Sequence, residues 1–216
     1  GSRENELAMK LNGMKYMDIL KAGGGILSTV RATQKASFEE LYAKAERSLN
    51  TMLEFGVTTV EAKSGYGLNT ETELKQLRVA KELNEKHPVD IVSTFMGAHA
   101  VPSEYKDNPE KFVDIIINEM IPKVAEENLA DFCDVFCEEG VFTVDQTRRI
   151  LSAAREFGML PRVHADEIEP FGGAELAAEI EAISADHLVA ASEAGMRMMA
   201  EKGVIADLLP ATSFNL

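Results

Sequence analysis

Residues 159–170 read MLPRVHADEIEP and residues 182–189 read AISADHLV: two short apolar runs, each ending in ionisable residues that include a histidine, His164 and His187. A strand buried on both faces reads as an apolar run, and in parallel α/β folds the site lies where such strands leave the sheet at their C-terminal ends. The pair therefore points to metal-assisted or acid/base chemistry at one edge of a parallel sheet.

The same rhythm extends in both directions. Ser37 with Glu40 forms a capping box ahead of Phe38, Leu41, Ala45, Leu49 and Met52 at helical spacing, and after Gly56 the stretch VTTVEA (57–62) reads as a strand. Thr70 with Glu73 predicts a second capping box before Leu74, Leu77 and Ala80; Pro88 blocks that helix, and VDIVSTFMGAHA (89–100) is the next strand. Asn108 and Pro109 open a third helix, interrupted at Pro122, and ADFCDVFCEEG (130–140) follows it. Thr143 and Gln146 cap the helix before residues 160–167, GGAELAAEIEA (172–182) precedes ISADHL, and Ser192 starts the helix that hands over at Gly203 to VIADLLPA (204–211).

Six strands separated by helices predict a parallel sheet, because parallel neighbours need crossover connections of this length. An open doubly wound sheet fits that rhythm too. The closed (β/α)8 TIM barrel is favoured because Lys63, His99, Glu138, His164 and His187 each follow a strand, and a barrel gathers all its strand ends around one mouth. A whole barrel has eight strands, so the expectation is an incomplete one with about six of eight, occupying residues 1–216 as one partial catalytic domain. One strand is expected before Gly1 and one after Leu216, since the chain has no initiator methionine and its first ordered-looking element, residues 7–23, is a helix.

Composition narrows the function. With 216 residues, 45% hydrophobic and 27% charged, the chain is an ordinary globular sequence. A net charge of -14 repels phosphate backbones and anionic membranes, so neither nucleic acid nor membrane is an expected partner. No apolar stretch is long enough to span a bilayer and the first ten residues lack a signal-peptide pattern, which leaves a cytoplasmic location as the expectation. Cys133 and Cys137 lie four apart in a strand and point to the same face, as buried thiols rather than a disulfide.

Each motif also has a plainer reading. In HADE, His164 could ligate a metal while Glu167 moves a proton, yet an HxxE alone fits a polar helix cap as well. His187, paired with Asp186, suits an acid/base imidazole at a barrel mouth, or a buried histidine bonded to backbone. His99 follows Gly97, which would let backbone approach a ligand, and Tyr66 lies between Gly65 and Gly67 in a loop able to close over a bound molecule; a loop histidine and a plain turn are the alternatives. His87 at a helix end reads as a dipole partner. Gly23 to Gly25 form a tight loop and not a phosphate loop, since no Gly-Lys-Ser/Thr follows. The absence of GxSxG, and of a histidine partner for either cysteine, disfavours a serine or cysteine hydrolase.

Taken in order, GSRENE (1–6), GGGILSTVRAT (23–33), GVTTVEAKSGYGL (56–68), FMGAHAVP (95–102), PRVHADE (161–167), SADHL (184–188) and LLPATSF (208–214) resemble the imidazolonepropionase family of metal-dependent amidohydrolases. The resemblance implies hydrolysis of the cyclic amide of 4-imidazolone-5-propanoate to N-formimidoyl-L-glutamate with a single zinc or iron ion. It implies that His164 is a metal ligand, that Glu167 and His187 are catalytic, and that Arg3, Tyr66, His99 and Glu167 bind substrate, Arg3 as counter-ion to the propionate. It further implies a homodimer at full length. The family's HxH pair, distal aspartate ligand and β-sandwich domain are not in this sequence, and Ala211 stands where glycine is usual. One ligand of four predicts weak metal binding and no activity for this polypeptide alone. Another cyclic amide or amidine hydrolase or deaminase, and a non-catalytic remnant, are the rival readings.

Overall fold

The computed structural model describes residues 4–14 and 25–214. Six strands form one parallel sheet: β1 (Thr59–Lys63), β2 (Asp90–Ala98), β3 (Phe132–Cys137), β4 (Leu160–Ala165), β5 (Ser184–His187) and β6 (Ile205–Asp207). They pair strictly in chain order and curl into part of a barrel with the helices outside, as the incomplete (β/α)8 expectation required. No helix among the described residues is long and apolar enough to cross a membrane.

Three helix starts follow the sequence closely. Ser37 with Glu40 caps Phe38–Glu54 reciprocally, Thr143 with Gln146 does the same for Val144–Glu156, and the Ser192 hydroxyl accepts from Gly195 N. The Thr70–Glu73 box is corrected. Asn69 caps Thr70–Lys86 by accepting from Thr72 N, and Glu73 is fully buried, turned back to three amides of the preceding loop. The interruption at Pro122 takes the form of a π turn, Ile116–Met120, between helices Pro109–Ile115 and Ile121–Glu126. Pro122 has no N–H to continue the ladder and its ring crowds the carbonyl four residues back, so the preceding turn widens. Of the helix expected over 7–23, Glu4–Leu11 is helical and residues 15–24 lie outside the described residues.

The sheet has two chemically opposite faces. Outward-pointing Phe95, Cys133, Val135, Cys137, Val163, Ala165 and Ala185 are buried with Phe112, Ile116, Ile121, Ile150, Leu151 and Ala177 in the main apolar core. Both cysteines are free and buried there, which pushes the Cys137 thiol up to about 11. Gly97 serves this packing: a Cβ would stand 2.5 Å from the Phe95 ring. The inward face carries charge in place of the branched apolar layers common in such barrels. Lys63 Nζ meets Glu61 at 2.9 Å, Asp134 at 2.7 Å and Asp186 at 3.2 Å. Arg162, stacked on Phe132, reaches Glu61 at 3.3 Å and Asp207 at 3.5 Å. Period two puts these residues on one side, and the register Phe136↔His164↔Asp186 sets the next layer toward the strand ends.

Candidate active site

The sequence-predicted residues, apart from Arg3, which lies outside the described residues, meet at the C-terminal rim. The His164 and His187 rings are 5.0 Å apart between centroids, and His164 and His99 are 5.9 Å apart. Tyr66 meets His99 edge-on at 5.1 Å. Phe136, unnoticed in the sequence, fills the angle between His99 and His164 at 6.2 and 6.0 Å. Glu167 Oε1 lies 3.4 Å from His187 Nδ1, which has no hydrogen-bond partner.

His187 does not pair with its neighbour Asp186. Successive strand residues point to opposite faces, so Asp186 stays inside with Lys63 and His164, while His187 and Leu188 adopt left-handed backbone (φ 73° and 58°) that turns the chain at the strand end. Non-glycine residues in that region cluster at functional sites.

The imidazole of His164 is oriented from below. Asp134 Oδ1 accepts from both His164 N and Nδ1 at 3.1 Å, which leaves Nε2 for a ligand, the arrangement usual for metal-binding histidines. Asp134, His164 and Asp186 offer ligand atoms within 4.8 Å of one another, and Asp186 Oδ1 is buried without a hydrogen-bond partner. Of these donors His164 Nε2 suits a divalent metal, while its Nδ1 and the Asp134 carboxylate are engaged with each other. The single Lys63 ammonium is shared by both carboxylates, so His164 is the donor of the three without a claim on it. Asp134 was passed over in the sequence; an aspartate at the centre of FCDVFC, where strands disfavour that residue, was its signal.

Electrostatics separates the two histidines. Burial alone would lower the His164 pKa, but the Asp134 carboxylate, then Asp186, outweigh it and raise it above 6.5. Burial and then the adjacent His164 charge pull His187 down to about 4, and burial with Glu138 nearby raises Glu167 against the opposing effect of His164. In a nitrogen-detected titration of the metal-free chain, His187 is expected to stay neutral until the pH nears 4 while His164 remains charged above 6.5; the reverse order would refute this assignment. In stability terms, His187 penalises the fold as pH falls from 6.5 toward 4, since the unfolded chain takes up that proton first. The stabilisation from His164 is complete below 6.5 and fades as pH rises through its folded value.

Buried carboxylates hold the rim loops. Glu73 accepts from Gly65 N (2.8 Å), Gly67 N (2.6 Å) and Leu68 N (2.9 Å), fixing the loop that presents Tyr66. Gly67 packs so closely on the helix start that a Cβ would lie 2.7 Å from Glu73 N. Gly65 O meets His99 Nδ1 at 3.1 Å, tying the two substrate candidates together. Asp166 accepts from the amides of Phe171, Gly172, Gly173 and Ala174, and Glu138 binds those of Glu167, Ile168 and Glu169.

No family model matches the chain. Over all 216 residues it is 68% identical to the imidazolonepropionase of Alkaliphilus metalliredigens, 65% to that of Alkaliphilus oremlandii and 64% to that of a Geobacillus species. The chain spans about half the length of these curated relatives, 51% in each case. Among solved structures, a 5-methylcytosine deaminase from Klebsiella pneumoniae matches 81% of this chain and 44% of its own, with a TM-score of 0.61 and 16% identity. An adenine deaminase from Arthrobacter aurescens matches 95% of this chain and 66% of its own, with a TM-score of 0.61 and 12% identity. At these identities the structural likeness establishes the fold alone.

Proposed function

We propose that this chain, matched along its whole length by imidazolonepropionases, carries part of the site of a cyclic-amide hydrolase that opens 4-imidazolone-5-propanoate to N-formimidoyl-L-glutamate. The observation that carries the reading is the convergence of Tyr66, His99, His164, His187 and Glu167 on one rim, although the sequence scatters them over a hundred residues.

The difficulty in opening an unstrained lactam is twofold: water is a poor nucleophile and the ring nitrogen a poor leaving group. His164, through Nε2, is the residue here that would hold a zinc or iron ion, which would supply Lewis acidity and lower the pKa of water. The remaining work falls to side chains. His187, neutral at physiological pH and with its buried Nδ1 facing Glu167, is the imidazole that takes up the proton of the attacking water. Glu167, whose carboxyl burial shifts toward the protonated form, is the group that gives the ring nitrogen its proton as the C–N bond breaks. Tyr66 and His99 form the wall that positions the ring, and Arg3 is the counter-ion for the propionate. The homodimeric state and cytoplasmic location belong to the same reading.

A protein of the relatives' full length containing this chain is the one to assay. It is expected to consume 4-imidazolone-5-propanoate with one zinc or iron bound, and to leave guanine untouched; turnover of guanine in its place would transfer the assignment to a deaminase. The 216-residue chain alone is expected to show no turnover, since a catalytic zinc site needs about three protein ligands.

A further inference from the structure

We infer that Glu138 is a positioning residue for the reaction, the anchor that holds Glu167 at the rim; the inference rests on the hydrolase reading above. Glu138 is the residue immediately after β3 and is buried, 2% exposed. The register pairs Cys137 with Ala165, so the ends of β3 and β4 leave the sheet side by side and Glu138 meets the loop that carries Glu167. Its Oε2 accepts from Glu167 N at 2.9 Å and Ile168 N at 3.1 Å, and its Oε1 from Glu169 N at 3.2 Å and Glu139 N at 3.3 Å.

An ionised carboxylate offers about four lone-pair sites, and here four amides fill them. Glu138 therefore has no acceptor capacity left for substrate, which separates it from Glu167, whose carboxylate stands open beside His187. Among the described residues the amides of Glu167, Ile168 and Glu169 donate to no backbone carbonyl, so this one side chain supplies their protein partners. The loop is pinned at its far end by Asp166, which accepts from the four amides of residues 171–174. Between two such anchors Glu167 has little freedom to drift. Glutamine can replace only half of the anchor, because its NH2 would face amide donors.

Two readouts test this on Glu138→Gln and Glu138→Ala. In the 216-residue chain, hydrogen exchange at the amides of residues 167–169 is expected to quicken about tenfold or more, most in Glu138→Ala, with β3 and β4 unchanged. In a protein of the relatives' full length containing this chain, kcat is expected to fall about 100-fold for Glu138→Ala and about tenfold for Glu138→Gln, KM staying within about threefold, as befits a displaced catalytic group. Ile150→Val serves as the control for a merely structural loss, lowering stability without moving kcat or those amides. If Glu138→Ala does not fold, the nearly isosteric Glu138→Gln decides. Wild-type kcat in Glu138→Gln beside a crippled Glu167→Gln overturns the inference and leaves the hydrolase reading intact. Full activity in Glu167→Gln overturns that reading, whatever the exchange rates show.

Discussion

Exchanging Glu167 for Gln in a protein of the relatives' full length containing this chain is expected to cut turnover of the imidazolone ring by about 10³-fold while KM moves little, the size of effect associated with loss of a positioned proton donor. The substitution keeps the volume and one carbonyl oxygen. What it removes is the acidic carboxyl proton, which burial retains to higher pH than usual. Glu167→Asp, one methylene shorter, would draw the carboxyl back from His187, now 3.4 Å away, and should fall between the two. Steady-state kinetics at fixed metal content decides the matter, and activity of Glu167→Gln within tenfold of wild type would show that the ring nitrogen receives its proton elsewhere.

Asp134→Ala is expected to be the most destabilising single change on the sheet's inward face, costing about 3–5 kcal/mol, because removing one member of a buried pair strands the charges left behind. The side chain is fully buried and satisfies Lys63, His164 N and His164 Nδ1 together. Asp186 stays with Lys63 at 3.2 Å and would soften the loss without replacing the bond to His164 N. Burial would raise the Asp134 pKa, but His164 and then Lys63 override it and hold the carboxyl well below its usual 3.8. The stabilisation from Asp134 is therefore complete above about 3.8 and drains away as pH falls through the folded value, so wild type and variant should converge in acid. Urea unfolding at neutral pH measures the difference, and a loss below about 1 kcal/mol would mean the network contributes no more than a surface ion pair.

The strand–helix alternation was legible because capping boxes, helix-closing glycines and apolar runs are local signals, and Ser37, Thr143 and Ser192 cap where the sequence places them. The rim histidines were legible for the same reason, each standing at the end of an apolar run. What escaped was contact between units. Asp134 acquires its meaning from Lys63, 71 residues earlier, and Glu138 from amides 29 to 31 residues later. Glu73 was assigned to a cap because helical spacing cannot register a neighbouring loop with three amides in need of acceptors. The Asp186–His187 pairing failed for a local reason: adjacent strand residues face apart, and only the left-handed turn at His187 brings its ring back to His164.

Because the strands lie in the sheet in the same order as along the chain, each one after β1, on leaving the ribosome, finds a hydrogen-bonding partner already made. The sheet can grow at a single edge during translation, unit by unit, without waiting for a distant segment. Such vectorial assembly keeps loop-closure costs small at every step and leaves the newest strand as the one awaiting a neighbour.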